Sequence, residues 1–173
     1  MSRSQVSRIE RGLVPELSFV AAALTAASVG LELSVKAYPG GRPVRDAGHL
    51  ALIERLRPAV GPTAAWQFER PLPIAGDQRA WDVALILEGG VAALELETRP
   101  RDVQELLRRI ALKSRDDQTV SRVVLLLSDT RHNRALLRAN RQVIAADLPG
   151  AGSAIRAALQ QGRLPPQSGV LMV

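Results

Sequence analysis

The chain has 173 residues, 46% hydrophobic and 23% charged, with no cysteine and a formal net charge of +6. This is a globular balance, large enough for one domain and part of another. It excludes disulfides and thiolate metal sites. No apolar run approaches the ~20 residues of a membrane span, and MSRSQVSRIER lacks the apolar core of a secretion signal, so a cytoplasmic protein with no membrane partner is expected. Every basic residue except Lys36 and Lys113 is arginine, which suits polyanions and nucleic acid first among them.

In chain order, residues 2–12 read as a short helix with Ser2 and Gln5 in a capping box, an apolar stripe at Val6, Ile9 and Leu13, and Gly12 as its stop. Pro15 opens a second helix over 16–28, ended by Gly30. Leu31 to Tyr38 alternates as a strand or extended linker. Pro39, Gly40, Gly41 and Pro43 place a boundary, so that residues 1–38 form one unit, 39–45 a linker and 46–173 a second domain. That domain starts with a helix from Asp46 to Arg57 carrying Leu50, Ile53 and Leu56. Strands follow at Trp66–Leu72, Trp81–Leu87 and Val91–Thr98. Val103, Leu106, Leu107, Ile110 and Ala111 then give the strongest helical spacing of the chain. Val120 to Leu127 is a nearly continuous apolar run, as in a strand buried on both faces. Helices over 131–145 and 152–161 and a short strand at Gly169–Val173 complete the order. Trp66 and Trp81 are expected in the core.

The hairpin has a register that can be derived. A turn at Gly89-Gly90 pairs Glu88 with Val91 and sets Asp82 opposite Glu97. Strand alternation then puts Glu95 on the same face, and Val83, Leu85, Leu87, Leu94 and Leu96 on the other. Three carboxylates on one surface repel, so a cation is expected among them: a metal, Arg79 or Arg99.

The segment SRSQVSRIERG is similar to the recognition helix of the Cro/repressor-type (XRE-like) helix-turn-helix family of bacterial regulators. The likeness covers residues 2–30. It implies a recognition helix in the major groove of DNA, with Arg3, Ser4 and Arg8 toward bases and Ser2 and Arg11 near phosphates. The two helices that precede the recognition helix in that family would lie before Met1. Residues 1–38 are therefore expected to be a truncated helix-turn-helix remnant, or a chain whose start is set too late.

From residue 44 to about 130, the order helix, three strands, helix, strand resembles the PD-(D/E)xK nuclease-like fold. That likeness implies an α/β (α+β) class: a restriction-endonuclease-like, three-layer domain with a mixed sheet. It also implies Mg²⁺ held by an acid on each of two strands, and a Lys two residues after the second acid. The candidate residues are Asp82, Glu95 and Glu97 as catalytic or metal-binding groups, with Arg99 and Gln104 beside them. Glu54 on the first helix is a further neighbour. The pattern departs from the family, because Glu97 stands at the Lys position after Glu95, and Glu97-Thr98-Arg99 puts Arg where Lys is needed. A buried carboxylate–arginine network without catalysis, a metal-dependent nuclease and an effector pocket all remain open.

His49 and His132 pair with nothing in the sequence, and capping of the next helix by Asp129 or Thr130 accounts for much of the Ser128–Arg134 cluster. Together these features suggest a DNA-binding transcriptional regulator, or the remnant of one, with a non-catalytic nuclease-like accessory domain and no resident cofactor. DNA is its expected partner and a homodimer its expected assembly. The alternatives are an Mg²⁺-dependent PD-(D/E)xK-type nuclease and a non-catalytic interaction domain of a toxin–antitoxin or defence system.

Overall fold

A computed structural model of the chain describes Ser28 and residues 47–173. The readings over 2–12 and 31–46, and those over 16–28 apart from Ser28, lie outside the described residues. Helix α1 (Ala47–Leu56) buries Leu52, Ile53 and Leu56. Leu50, expected in that stripe, is 48% exposed, because the buried face turns through Leu52 instead. A 3₁₀ turn (Arg57–Ala59) with Pro58 near its start leads into β1 (Ala65–Pro71). Strands β2 (Ala80–Leu87) and β3 (Gly90–Glu97) form the hairpin. Helix α2 (Val103–Asp116) then begins on Asp102, whose carboxylate accepts from the Glu105 amide. Strand β4 (Arg122–Leu127) is buried from Val123 onward.

Thr130 caps α3 (Arg131–Ala139) by accepting from the Asn133 amide. The single helix expected over 131–145 is broken at Asn140, which ends α3 and opens α4 (Arg141–Asp147). Helix α5 (Gly152–Gln160) and strand β5 (Gly169–Met172) follow. No helix of the described residues is long and apolar enough to cross a membrane.

The five strands form one mixed sheet in the order β1-β2-β3-β4-β5, antiparallel through β3 and parallel from β3 to β5. Two apolar clusters divide on its faces. One joins Leu52, Leu56, Ile155 and Leu159 of α1 and α5 to Val83, Leu85, Leu94, Leu96 and Leu126. The other joins Leu106, Leu107 and Ile110 of α2 and Ile144 of α4 to Ala93, Val123, Leu125 and Leu127. Neighbouring residues of β4 thus serve opposite cores, which is why its sequence is apolar throughout. The result is helices on both faces of a sheet, a mixed α/β architecture. At the far edge, Gly150 and Gly169 bridge in parallel so closely that a Cβ at Gly169 would collide with the Gly150 carbonyl.

The hairpin departs from the expected register. Leu87 pairs with Gly90, and Val83 with Leu94, so the turn is Glu88-Gly89 rather than Gly89-Gly90. Glu88 leaves the hairpin because the chain after α5 claims it: its amide donates to the Gly162 carbonyl at 2.9 Å and its carbonyl accepts from the Leu164 amide at 2.9 Å. Gly89 and Gly90 take the positive φ angles, +92° and +143°, that the reversal requires. The shift is two residues, an even number, so the carboxylates keep their common face while their opposition changes. Continuing the observed register puts Asp82 opposite Glu95, not Glu97.

Candidate functional site

The β2–β3 ladder opens after Val83–Leu94. There the Asp82 carboxylate, rather than a backbone carbonyl, accepts the Leu96 amide at 2.7 Å. On the other side of β2, the flanking pairs Phe68–Val83 and Arg70–Trp81 put Glu69 opposite Asp82. Glu69 is 3% exposed and has φ +48°. A non-glycine residue in that region carries roughly 1–3 kcal/mol of strain and persists only where its surroundings fix it. Strand alternation also breaks at this point. Trp81 joins the α2-side cluster although Val83 faces the other core. Its indole donates to Asp117 at 3.0 Å, just past the end of α2.

Helix α2 supplies the cations. Lys113, whose side chain is 8% exposed, donates to both oxygens of Glu95 at 3.0 and 2.8 Å and to the Ala80 carbonyl at 2.7 Å. Its ammonium also lies 5.3 Å from the centre of the Trp81 ring. One turn earlier, Arg109 reaches Glu95 at 3.2 Å and Glu97 at 2.7 Å. Two cations thus face the three carboxylates Asp82, Glu95 and Glu97. Burial pushes the Glu95 carboxyl above its ordinary value, and the Asp82 charge adds to that. Lys113 and Arg109 pull the other way without cancelling it.

A second network lies beside the first. Arg79 pairs with Asp77 at 2.6 Å and with Asp116 at 2.7 Å. Arg115 and Arg79 hold the Asp116 carboxyl down at about 2. Asp117 is fully buried and accepts from Trp81 and from both the amide and the hydroxyl of Thr119.

The structure therefore brings Asp82, Glu95 and Glu97 to one surface, as their spacing suggests, but neither expected arginine neutralises them. Arg79 is committed to Asp77 and Asp116, and Arg99 is exposed beyond the end of β3 without an ion pair. Gln104 sits on the solvent side of α2, away from the cluster. Glu54 lies on α1, which covers the opposite face of the sheet, and pairs with Arg57 at the start of the 3₁₀ turn. Trp81 is core as expected, while Trp66 is only partly buried. His132 is exposed, and Thr130 is the cap of α3. Ser2, Arg3, Ser4, Arg8 and Arg11 lie outside the described residues.

No family model, curated protein or solved structure matches this chain. The weight of a functional reading therefore falls on the chemistry of the cluster.

Lys113 and Arg109 are the residues that sequence reasoning missed. The signal was present. Leu106, Ile110 and Lys113 continue one helical stripe, so Lys113 falls inside the apolar face of α2. A lysine there is buried, and a buried ammonium needs a carboxylate. Glu95 is the carboxylate that the sheet offers.

The cluster does not fit a divalent metal. A hard cation needs carboxylate oxygens that are free to turn toward it. Both Glu95 oxygens are held by Lys113, one of them also by Arg109, while one Asp82 oxygen holds the Leu96 amide. Among the described residues, no three acidic or histidine side chains converge as a metal cage.

Proposed function

We propose that the chain is a cytoplasmic DNA-binding transcriptional regulator whose second domain has a restriction-endonuclease-like fold that does not cut DNA. The N-terminal SRSQVSRIERG segment supports DNA binding through Arg3, Ser4 and Arg8. The helix, three antiparallel strands, helix and parallel strand from α1 to β4 support the nuclease-like fold, as does the placement of Asp82 and Glu95-Leu96-Glu97 on adjoining strands. The observation that carries the non-catalytic reading is the seating of Lys113 on both oxygens of Glu95. Where a nuclease would hold its metal, this domain holds its own ammonium. Once neutralised from within, the cluster fixes α2 to the β2–β3 hairpin and is structural. Mg²⁺ has no place in this reading.

One observation favours an Mg²⁺-dependent nuclease instead. Lys113 brings to the acids the amine that the strand sequence lacks. The deciding experiment incubates the full chain with supercoiled plasmid and Mg²⁺ or Mn²⁺, beside Asp82→Ala and Glu97→Ala. The expected result is intact plasmid throughout. Cleavage by the parent that both substitutions abolish would replace the regulator reading with the nuclease. In a parallel binding assay on a mixed-sequence duplex, Arg3→Ala/Arg8→Ala is expected to lose affinity.

A further inference from the structure

The arginines of the described residues differ in what they touch. Some are committed to carboxylates, such as Arg79, Arg109 and Arg134. Others donate to neutral oxygens, such as Arg70 and Arg156. Arg55, Arg99, Arg101, Arg131, Arg138 and Arg141 are exposed and have neither kind of partner. All but Arg55 fall in two short segments, 99–101 and 131–141.

The fold joins those two segments. Asn133, fully buried in the first turn of α3, donates its side-chain amide to the Thr98 carbonyl and the Ser128 carbonyl, both at 2.9 Å. That fixes the start of α3, which holds Arg131, against the ends of β3 and β4, and Arg99 follows the anchored Thr98 directly. From there the stripe continues along α3 through Arg134 and Arg138 at spacings of three and four residues, and Arg141 opens α4. Few acids oppose it. Asp129 is occupied by Arg134, and Asp102 caps α2. The first turns of α3 and α4 contain no acidic residue, so Arg131 lies unrelieved against the positive end of its helix. A protein does not gain stability from such an arrangement, but an anionic partner would.

We infer that this surface, from Arg99 and Arg101 along α3 to Arg141, docks on the phosphate backbone of duplex DNA. The inference rests on the proposed function only in taking DNA as the polyanion. The contact itself is a second one, on the α/β domain and separate from the N-terminal segment. Arginine suits it, because the planar fork meets a phosphate through two donors. Such contacts read no sequence; they fix the domain on the helix and add affinity that salt removes.

The test uses the full chain and a labelled mixed-sequence duplex, with affinity measured across a salt series. Arg131→Gln/Arg138→Gln/Arg141→Gln is compared with Arg55→Gln/Arg156→Gln/Arg163→Gln, which removes the same charge elsewhere on the domain. Melting temperatures confirm that both are folded. The first variant should bind about tenfold more weakly at low salt, and its slope of log affinity against log salt should fall by roughly 2.7, about 0.9 for each phosphate that is no longer neutralised. The second should keep the wild-type slope. Equal weakening of both variants, absence of duplex binding by the wild type, or tighter binding to anionic vesicles than to duplex each overturns the inference. Arg3→Ala/Arg8→Ala separates the two readings. Loss confined to that variant overturns this surface and leaves the N-terminal contact standing. Loss confined to the α3–α4 variant supports this surface and removes the N-terminal one.

Discussion

Replacing Lys113 by Met removes a buried charge while keeping most of the unbranched side chain. Lys113 makes three hydrogen bonds, and two of them hold Glu95, whose side chain is 3% exposed. Removing one partner of a buried pair typically costs about 3–5 kcal/mol, because the other charge is stranded. Two features put this substitution at the lower end. Arg109 still reaches Glu95 at 3.2 Å. Glu95 can also escape by taking a proton, since burial has already raised its affinity for one. We therefore predict a loss of about 3 kcal/mol near neutral pH, and a fall in melting temperature of roughly 6–12 °C at 2–4 °C per kcal/mol.

The escape route fixes the pH dependence. A carboxyl whose folded pKa is raised contributes stability that is present below its unfolded value, about 4.5, and is lost as pH rises through the folded value. Without Lys113 that folded value rises further. The gap between wild type and variant should therefore be small in acid and widen as pH rises, by at most about 1.4 kcal/mol per pH unit. Denaturant unfolding of both proteins at several pH values measures it. Glu95→Gln added to Lys113→Met should recover much of the loss, as a double-mutant cycle requires of a coupled pair. A cost below about 1 kcal/mol at neutral pH, or a gap that does not change with pH, would show that Lys113 does not neutralise a buried Glu95 carboxylate.

Two further outcomes follow from the neighbouring groups. Trp81→Phe should cost about 1–3 kcal/mol in denaturant unfolding, because Asp117 stays buried and loses the indole donor while keeping Thr119; a loss within error would show that the indole contact does not matter. Arg79→Gln should lower stability above the ordinary carboxylate value of 3.8, and the gap to wild type should close as pH falls toward about 2, where Asp116 protonates in the wild type. Melts across that window check it, and a gap that grows in acid would contradict the assignment of Asp77 and Asp116 as the partners of Arg79.

The fold of the described domain was legible where one kind of local signal dominated. The spacing of Val103, Leu106, Leu107 and Ile110 marks α2, and the apolar run after Arg122 marks β4. Each is set by a repeat that water enforces on one face or on both. The failures come from contacts that no local pattern carries. The Gly-Gly dipeptide predicted the wrong turn because Glu88 is taken by residues 162–164, more than seventy positions away in sequence. Helix 131–145 was read as continuous because its apolar spacing survives the break. Asn140 ends α3 by donating its side-chain amide to the Leu136 carbonyl, a competition with the backbone that hydropathy does not register.

The site was half legible for a related reason. Alternation holds along β3 and along β2 from Val83 onward, and breaks at Trp81, so an even error in register still puts Asp82, Glu95 and Glu97 on one surface. Which cation joins them depends on the rotation of a helix packed across that surface, and this the strands do not encode. Arg99 falls on the face of the acids by alternation, yet β3 ends at Glu97 and the chain bends at Thr98 and Arg99, which leaves the arginine exposed. Lys113 lies within the apolar stripe of α2, and that place marks it as buried. The face that a charged residue occupies decides its partner more than its nearness in sequence does, and the cations of the described domain fall into two populations. Lys113 and Arg109 are turned inward and used up by Glu95 and Glu97, whereas Arg99, Arg131, Arg138 and Arg141 are turned outward and are still available to a partner.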